Sequence, residues 1–335
     1  MRILVTGGAG YVGSVTVERL VEAGHAVVVV DDLSTGHRPS VAPEATYVDL
    51  RYGDVHAMTR MLTDHAVDAV LHCAARSVVP ESIADPALYY HENVVGGIAL
   101  LDAMRAADVR RLVLSSTAAV YGLPDTTPIP EGAPLRPINP YGATKAALEG
   151  AIAWYGAAYG LRSVRLRYFN VAGASERNGE AHDPESHLIP LVLAAAEGGR
   201  PVTVFGEDYP TKDGTCIRDY IHVLDLADAH LAALEATDPS DPRTGPPDGS
   251  EPVALNLGTS DGYSVREVLD SAARVVGGAI PHRFGPRRAG DPSVLVADAR
   301  RAGEVLGWQA RRTDLDAVIE SAWEWRRRHP GGYEA

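Results

Sequence analysis

The sequence predicts an α/β protein with a doubly wound parallel sheet. Short β-branched runs alternate with amphipathic segments of helix length through the first half of the chain, which is typical of strands joined by crossover helices. The run Val27–Val30 is apolar on both faces, as expected when helices cover both sides of a parallel sheet. A glycine-rich turn follows the first run. Together these features predict a Rossmann-type fold.

The strands of this sheet can be placed one by one. We predict six of them in the first half of the chain, at Ile3–Thr6, Ala26–Asp31, Thr46–Leu50, Ala69–Cys73, Arg111–Ser116 and Ser163–Phe169. After about residue 170 the connections lengthen, and helices are expected near residues 189–197, 223–236, 264–277 and 314–328. The segment 237–252 is rich in proline and free of aliphatic residues, so an exposed loop is predicted there.

The length of the chain predicts two lobes. Its 335 residues exceed the roughly 250–300 residues at which single hydrophobic cores stop growing. We expect a Rossmann domain at 1–170 and a smaller α/β lobe at 171–335, between which the chain is free to cross back.

Composition excludes several classes of protein. Lys and Arg number 31 against 44 Asp and Glu, a net charge of −13, which is too acidic for a nucleic-acid clamp. Cys73 and Cys216 have no metal-ligand spacing, so we predict neither a metal site nor a disulfide framework. The N-terminus lacks a secretory pattern and no apolar run reaches the roughly 18 residues of a membrane span. A soluble, cytoplasmic protein is expected.

The glycine-rich turn is a candidate phosphate site. Gly7, Gly10 and Gly13 follow the first strand and open a helix, so backbone N–H groups and the helix N-terminus can approach a pyrophosphate. Asp31 ends the second strand, where a carboxylate can accept hydrogen bonds from the ribose hydroxyls of an adenosine. The adjacent Asp32 adds a second negative charge that would repel a 2′-phosphate, which favours NAD over NADP.

A second motif points to acid–base chemistry. Asn139 and Pro140 are typical of a helix start, which puts Tyr141 and Lys145 four residues apart on one helix face. An ammonium beside a phenol would lower the phenol pKa from about 10 toward neutrality. Thr117 follows a predicted strand and could share a substrate hydroxyl with Tyr141; a turn-capping role for its hydroxyl is the alternative.

Longer motifs make the chain recognisable. TGGAGYVG, SSTAAVYG, YGATK and LRYFNVAGA, in this order, resemble the extended short-chain dehydrogenase/reductase family. SHLIP, VFGEDYPTKDGTCIRDYIHVLDLADAH, LNLG and PRRAGDP are similar to the UDP-glucose (UDP-galactose) 4-epimerases within it. The resemblance extends from Met1 to about Tyr333. It implies reversible 4-epimerisation of a UDP-hexose through a transient 4-keto sugar, with tightly bound NAD as a recycled hydride carrier, and it implies a homodimer.

The resemblance also implies roles for individual residues. The catalytic positions match Thr117, Tyr141 and Lys145. The positions that bind NAD match Gly7, Gly10, Tyr11, Val12, Gly13, Asp31, Asp32, Leu33, Ser34, Thr35, Gly36, Asp49, Leu50, Cys73, Ala74, Ala75, Arg76, Ser77, Asn93, Ser115, Tyr141, Lys145, Tyr168 and Phe169. Besides Thr117 and Tyr141, the positions that bind the nucleotide sugar match Asn170, His187, Leu188, Thr203, Val204, Phe205, Arg218, Arg288, Asp291 and Leu295.

Some positions depart from the family pattern and leave alternatives open. Asp49 is favoured over Asp54 as the adenine contact because its strand is apolar. His187 stands where an asparagine is common, and a core or surface histidine is the alternative. Leu295 occupies a position whose bulk gates N-acetylated sugars, so UDP-N-acetylglucosamine stays open as a substrate.

Other activities compete with the epimerase prediction. UDP-glucuronate is an alternative substrate because Arg76 lies near the predicted site and can pair with a carboxylate. A nucleotide-sugar 4,6-dehydratase needs an acid and a base to eliminate water, and related dehydratases carry Asp-Glu where this chain has Ala118-Ala119. A non-catalytic NAD-binding regulator is disfavoured by the intact catalytic residues.

Overall fold

A computed structural model describes residues 1–244, 253–288 and 290–333. Its strands, numbered along the chain, are β1 (Arg2–Thr6), β2 (Ala26–Asp31), β3 (Thr46–Asp49), β4 (Ala69–His72), β5 (Arg111–Thr117), β6 (Arg162–Tyr168), β7 (Asn170–Ala172), β8 (Val202–Phe205), β9 (Ile217–Arg218), β10 (Tyr220–His222), β11 (Val253–Leu257), β12 (Tyr263–Ser264), β13 (His282–Gly285) and β14 (Val294–Leu295). Its α-helices are α1 (Tyr11–Glu22), α2 (Val55–Asp64), α3 (Val79–Ala84), α4 (Pro86–Tyr89), α5 (Gly96–Ala106), α6 (Pro140–Tyr159), α7 (Leu188–Ala196), α8 (Val223–Ala236), α9 (Val265–Val276), α10 (Arg300–Leu306) and α11 (Leu315–Arg328). Four short helical turns lie at Arg38–Ser40, Tyr90–Val95, Ala118–Val120 and Pro242–Thr244.

The central sheet has seven parallel strands in the order β11-β6-β5-β4-β1-β2-β3. The predicted parallel sheet and its first six strands are therefore confirmed. The direction in which the strands are added reverses between β1 and β4, and such a reversal leaves a crevice at the carboxyl ends of the strands. The seventh strand, β11, was not predicted and comes from the later part of the chain, so the chain does cross back to the sheet after residue 170.

Alternate residues of each strand supply the two faces of the sheet. In β1, Ile3 and Val5 join one core with side chains of α1, α8 and α10, whereas Leu4 joins another core with side chains of α2, α5 and α6. This two-residue period explains why the strands are apolar on both faces.

The remaining elements form a smaller lobe beside the sheet. Helices α7, α9 and α11 share a third core with β8, which pairs with β13. The strand β9 lies between β12 and β14 in a small sheet. None of the described helices is long and apolar enough to cross a membrane.

The predicted exposed loop at 237–252 needs a correction at its start. Thr237 is buried, and its hydroxyl and carbonyl oxygens accept hydrogen bonds from Arg111 Nε and Arg162 Nε, both at 3.1 Å. A local composition argument does not anticipate these distant arginines, which tie the end of α8 to the sheet. The part of the loop at 245–252 lies outside the described residues.

Candidate active site

A cavity of about 1030 Å³ lies at the carboxyl ends of the sheet strands. Most of the predicted site residues line it, namely Gly7, Gly10, Tyr11, Val12, Gly13, Asp31, Asp32, Ser34, Thr35, Gly36, Leu50, Cys73, Ala74, Ala75, Arg76, Ser77, Thr117, Tyr141, Lys145, Tyr168, Phe169, Asn170, His187, Arg218, Arg288, Asp291 and Leu295. Its volume matches the upper end of the range for ligand pockets, about 300–1000 Å³. The structure thus brings the predicted cofactor and substrate residues to one cleft.

The glycine turn is closely packed against its neighbours. A Cβ on Gly13 would lie 2.0 Å from the carbonyl oxygen of Gly7, and one on Gly7 would lie 2.5 Å from the backbone nitrogen of Ala74. Helix α1 begins at Tyr11, and its N-cap residue, Gly10, provides no side-chain hydrogen bond. The first N–H groups of α1 are therefore left for a ligand in the cavity, which suits an anion.

Asp31 stands beside this turn. One carboxylate oxygen accepts a hydrogen bond from the backbone of Ala9 and the other from the backbone of Leu33, both at 2.9 Å. Burial raises the pKa of Asp31, and these two hydrogen bonds oppose the rise. Leu33 itself does not line the cavity, in contrast to its predicted contact with NAD, because its side chain packs against the core below.

Thr117, Tyr141 and Lys145 lie together on the cavity wall. Asn139 Oδ1 accepts a hydrogen bond from the backbone of Gly142 at 2.8 Å, which confirms the predicted helix start. Lys145 is almost completely buried and donates a hydrogen bond to the carbonyl oxygen of Ser115 at 2.8 Å. The hydroxyl of Thr117 also accepts a hydrogen bond from the backbone of Ala119 at 3.1 Å, so it caps a turn as well as facing the cavity.

The predicted lowering of the Tyr141 pKa is wrong for the protein without its ligands. Burial raises the pKa of Tyr141 to about 12, although a hydrogen bond with Thr117 acts in the opposite direction. Burial lowers the pKa of Lys145 to about 8, with Cys73 and Glu149 opposing this change. The Lys145 ammonium is directed at the Ser115 carbonyl. Desolvation is therefore the largest effect on the pKa of the Tyr141 phenol.

Two of the predicted cofactor contacts, Asn93 and Ser115, support the site without lining it, and a third, Asp49, lies outside the cavity. Asn93 is buried, and its side-chain amide exchanges two hydrogen bonds of 2.9 Å with the backbone of Arg76. Ser115 lies behind Lys145, where its hydroxyl bonds to His230 Nε2 at 2.8 Å. Asp49 is exposed at the end of β3 and does not reach the cavity, whereas Leu50 does. The alternative to Asp49, Asp54, caps α2 by accepting a hydrogen bond from the backbone of Ala57.

The substrate side of the cavity contains two arginines with different partners. Arg218 Nη2 lies 2.5 Å from Asp291 Oδ1, so this guanidinium is already ion-paired. The guanidinium of Arg288 lies 3.9 Å from the centre of the Phe205 ring. Phe205 therefore stands behind Arg288 and outside the cavity lining. The other three predicted substrate residues outside the lining, in contrast to their predicted role, are Leu188, Thr203 and Val204.

Two groups of polar residues were not predicted from the sequence. Behind Thr117, the buried Arg167 and Glu149 form an ion pair, and Ser116 donates a hydrogen bond to Glu149 at 2.5 Å. At the cavity edge, Glu180, His182 and Glu185 surround His187. The spacing E-x-H-x-x-E-x-H at 180–187 was the available signal for the second group.

The environment of His187 agrees with the surface alternative and excludes the core one, since its side chain is 47% exposed. Its Nδ1 lies 2.6 Å from Glu180 Oε1 and 3.2 Å from Glu185 Oε1. Burial acts to lower the pKa of His187, but the two carboxylates raise it to about 10. His187 is thus an exposed histidine at the cavity wall that belongs to a charged cluster.

Comparisons with known proteins agree on one family. A model of the NAD dependent epimerase/dehydratase family matches residues 3–245. A UDP-glucose 4-epimerase of Streptomyces lividans is 52% identical over 99% of this chain and 98% of its own. A crystal structure of UDP-glucose 4-epimerase from Brucella ovis in complex with NAD is similar with a TM-score of 0.92, 45% identity and coverage of 97% of this chain and 98% of that one. Another, from Bifidobacterium longum in complex with NAD+ and UDP, has a TM-score of 0.91, 35% identity and coverage of 99% and 100%.

Proposed function

This chain belongs to the NAD dependent epimerase/dehydratase family, and we propose that it catalyses the reversible 4-epimerisation of a UDP-hexose of the UDP-glucose/UDP-galactose type. The observation that carries the proposal is the convergence of Thr117, Tyr141 and Lys145 with the glycine turn in one cavity. Relatives that bind NAD and UDP and are about as long as this chain support the same assignment.

NAD fits the first half of the cavity. The open N-terminus of α1 suits its pyrophosphate, and the Asp31 carboxylate, with lone pairs left after its two backbone hydrogen bonds, suits ribose hydroxyls. The space around Gly7 and Gly13 is too small for a side chain at either position. The absence of side chains lets a phosphate approach the backbone of the turn closely. When bound, NAD would supply a hydride acceptor that returns the same hydride to the sugar.

The residues of the chain supply the proton transfers. Tyr141 takes the proton of the sugar 4-hydroxyl as the C4 hydride leaves, and it gives the proton back after the 4-keto sugar has presented its other face. Lys145 places its positive charge beside the cofactor ribose and the phenol, and Thr117 donates a hydrogen bond to the sugar O4. Because burial raises the pKa of Tyr141 to about 12 in the protein alone, the positive charge of Lys145 and of the nicotinamide ring would assist its ionisation once NAD is bound.

The residues beside Thr117 do not favour the dehydratase alternative, which needs an acid and a base to eliminate water. Ala118 and Ala119 line the wall beside Thr117, and neither can serve as the acid or base that a dehydratase needs. Arg76 and Leu295 also line the cavity. A uronate or an N-acetylated sugar therefore remains an alternative substrate, and the assay below separates them.

We further propose a cytoplasmic homodimer with a cofactor lobe at 1–170 and a nucleotide-sugar lobe at 171–335. Large apolar side chains are exposed on or beside α5 and α6, including Trp154 at 76% and Val95 at 57%. Single exposed apolar residues are common, but a group on adjacent helices favours an interface. Size-exclusion chromatography with light scattering would contradict the dimer if it gave the mass of one chain.

The experiment for the activity is direct. The purified protein is incubated separately with UDP-glucose, UDP-N-acetylglucosamine and UDP-glucuronate, and anomeric proton NMR follows each mixture. We expect UDP-galactose to form from UDP-glucose faster than the other two epimers form. Formation of a 4-keto-6-deoxy sugar, or no 4-epimer from any of the three, would overturn the proposal.

A further inference from the structure

We infer that Glu180, His182, Glu185 and His187 form a zinc site at the edge of the active-site cavity. One ligand atom from each residue lies within 4.8 Å of all the others. The inference rests on these side chains and on no assumption about the reaction. It replaces the sequence prediction that no metal binds.

The distances within the cluster match a tetrahedral metal site. His187 Nδ1 lies 2.6 Å from Glu180 Oε1 and 3.2 Å from Glu185 Oε1, while His182 Nδ1 lies 3.1 Å from Glu180 Oε1 and 3.9 Å from Glu185 Oε2. Zinc bonds of roughly 2.0–2.1 Å to nitrogen and oxygen give a tetrahedron with edges of about 3.3–3.4 Å. These distances involve both carboxylate oxygens of Glu185 and lie on both sides of this value, so the side chains would move when one atom of each residue surrounds an ion.

Hydrogen bonds alone satisfy this arrangement poorly. An N–H group points in one direction, yet His187 Nδ1 faces carboxylate oxygens of both Glu180 and Glu185. Two carboxylates so close together also require compensating positive charge, and a protonated His187 between them supplies only part of it. Among the residues that the structure describes, no Lys or Arg forms an ion pair with either of them. A divalent cation at the common centre would answer both needs.

The identity of the ligands points to zinc. Imidazole nitrogens and carboxylate oxygens both bind zinc, whereas Ca²⁺ and Mg²⁺ prefer oxygen ligands alone. The supporting backbone is held from outside the cluster. His37 Nε2 bonds to the carbonyl oxygen of Ala181 at 2.8 Å, and Tyr333 Oη bonds to the backbone of Gly179 at 3.1 Å. The segment therefore presents its four ligands from a fixed position.

Such an ion would fix the segment before α7 against the cavity. Glu180, His182, Glu185 and His187 all line that cavity. Zinc would link the side chains of the two glutamates and the two histidines. This linkage would fix both ends of the segment 180–187 relative to each other. Its role is structural, because the four protein ligands leave no coordination position for a substrate.

The test measures metal binding and stability rather than turnover. The full-length protein is stripped with EDTA, dialysed, loaded with ZnCl₂ and dialysed again, and its zinc content is measured by inductively coupled plasma mass spectrometry. We expect about one zinc per chain and a higher melting temperature after loading. Co²⁺ loaded in the same way should give the visible absorption of a tetrahedral nitrogen and oxygen site.

The control separates these ligands from other histidines. In a His182→Ala/His187→Ala variant, zinc affinity should fall by more than the roughly 10–100-fold lost when only an outer-shell partner is removed. A His56→Ala/His91→Ala variant changes two exposed histidines outside the cluster and should bind zinc like the parent. If the first variant fails to fold, Glu185→Gln takes its place. Substoichiometric zinc in the parent protein, or equal zinc content in parent and ligand variants, would overturn the inference.

Discussion

The guanidinium of Arg167 lies 2.6 Å from the carboxylate of Glu149, and both side chains are almost completely buried behind the strand that ends at Thr117. Burial acts to lower the pKa of Arg167, but the hydrogen bonds to Glu149 raise it above its usual value. Arg167 also donates a hydrogen bond to Tyr121 Oη at 2.9 Å. The strand that ends at Thr117 is thus tied through Ser116 to a buried charged network.

Removing one member of this pair should be costly. We expect Arg167→Met to lower the free energy of unfolding by about 3–5 kcal/mol, because it removes the main cationic partner of the buried Glu149 carboxylate and leaves Ser116 and the more distant Arg165, at 4.0 Å, beside it. The double change Arg167→Met/Glu149→Leu should recover much of this loss. Urea unfolding at a fixed NAD concentration measures all three proteins. A double variant no more stable than the single one would show that the charge pair is not the cause.

Tyr141→Phe should abolish turnover and leave the protein folded. Loss of a positioned acid and base costs about 10²–10⁴-fold in rate, and the phenyl ring keeps the packing of the buried side chain. The measurement is kcat for UDP-glucose together with the NAD content of the purified protein. Tyr90→Phe, on an exposed tyrosine, is the control and should keep the parental rate. Near-normal turnover by Tyr141→Phe with NAD retained would mean that another group moves the proton.

Gly13→Ala should damage the cofactor site, while Gly150→Ala should not. A Cβ at Gly13 would lie 2.0 Å from the Gly7 carbonyl oxygen, whereas one at Gly150, also within a helix, meets no atom within 4 Å. We expect Gly150→Ala to stabilise the protein by about 0.5–1 kcal/mol. Melting temperature and NAD content check both variants. Equal NAD content in the two would contradict the close-packing argument.

His72 should make the protein sensitive to acid. Burial, aided by Lys145, lowers the pKa of His72 to about 3, against an unfolded value near 6.5. The unfolded chain therefore binds one more proton between about pH 3 and pH 6.5. The stability associated with neutral His72 is complete above pH 6.5 and is lost as the pH falls through this range.

The melting temperature at several pH values between 4.5 and 7.5 measures this effect. The His72→Asn variant should lose less stability than the parent as the pH falls. His56→Asn, on an exposed histidine of α2, should follow the parent. Parallel curves for His72→Asn and the parent would exclude His72 as the source of the acid sensitivity.

Local sequence patterns were sufficient to predict the strands, the glycine turn and the start of α6 in the first half of the chain. Val27–Val30 and the other apolar runs identified six of the seven sheet strands because a strand buried on both faces has a composition that does not depend on its neighbours. The spacing of Gly7, Gly10 and Gly13 predicted a turn whose steric need for glycine is local. Asn139 likewise predicted the start of α6, since capping involves residues only three positions apart.

Long-range relationships could not be obtained in this way. β11 pairs with β6 although residues 169–252 separate the two strands in the chain, and a five-residue run carries no information about a partner so far away in sequence. The predicted lowering of the Tyr141 pKa was wrong because the spacing of four residues places Tyr141 and Lys145 on one helix face but does not determine the direction in which the Lys145 ammonium points. Asn93 and Ser115 follow the family pattern, yet only the three-dimensional contacts reveal that they brace the site from behind.

The pairing of β11 with β6 has a consequence for the order in which the protein is made. The ribosome synthesises β6 well before it reaches residue 253. Until β11 has been synthesised, the edge of β6 that will pair with it has no hydrogen-bond partner strand. Such an edge can recruit a strand from another chain. A fragment that stops after residue 170 would keep β6 as an edge strand permanently, and the second half of the polypeptide therefore supplies the strand that covers β6.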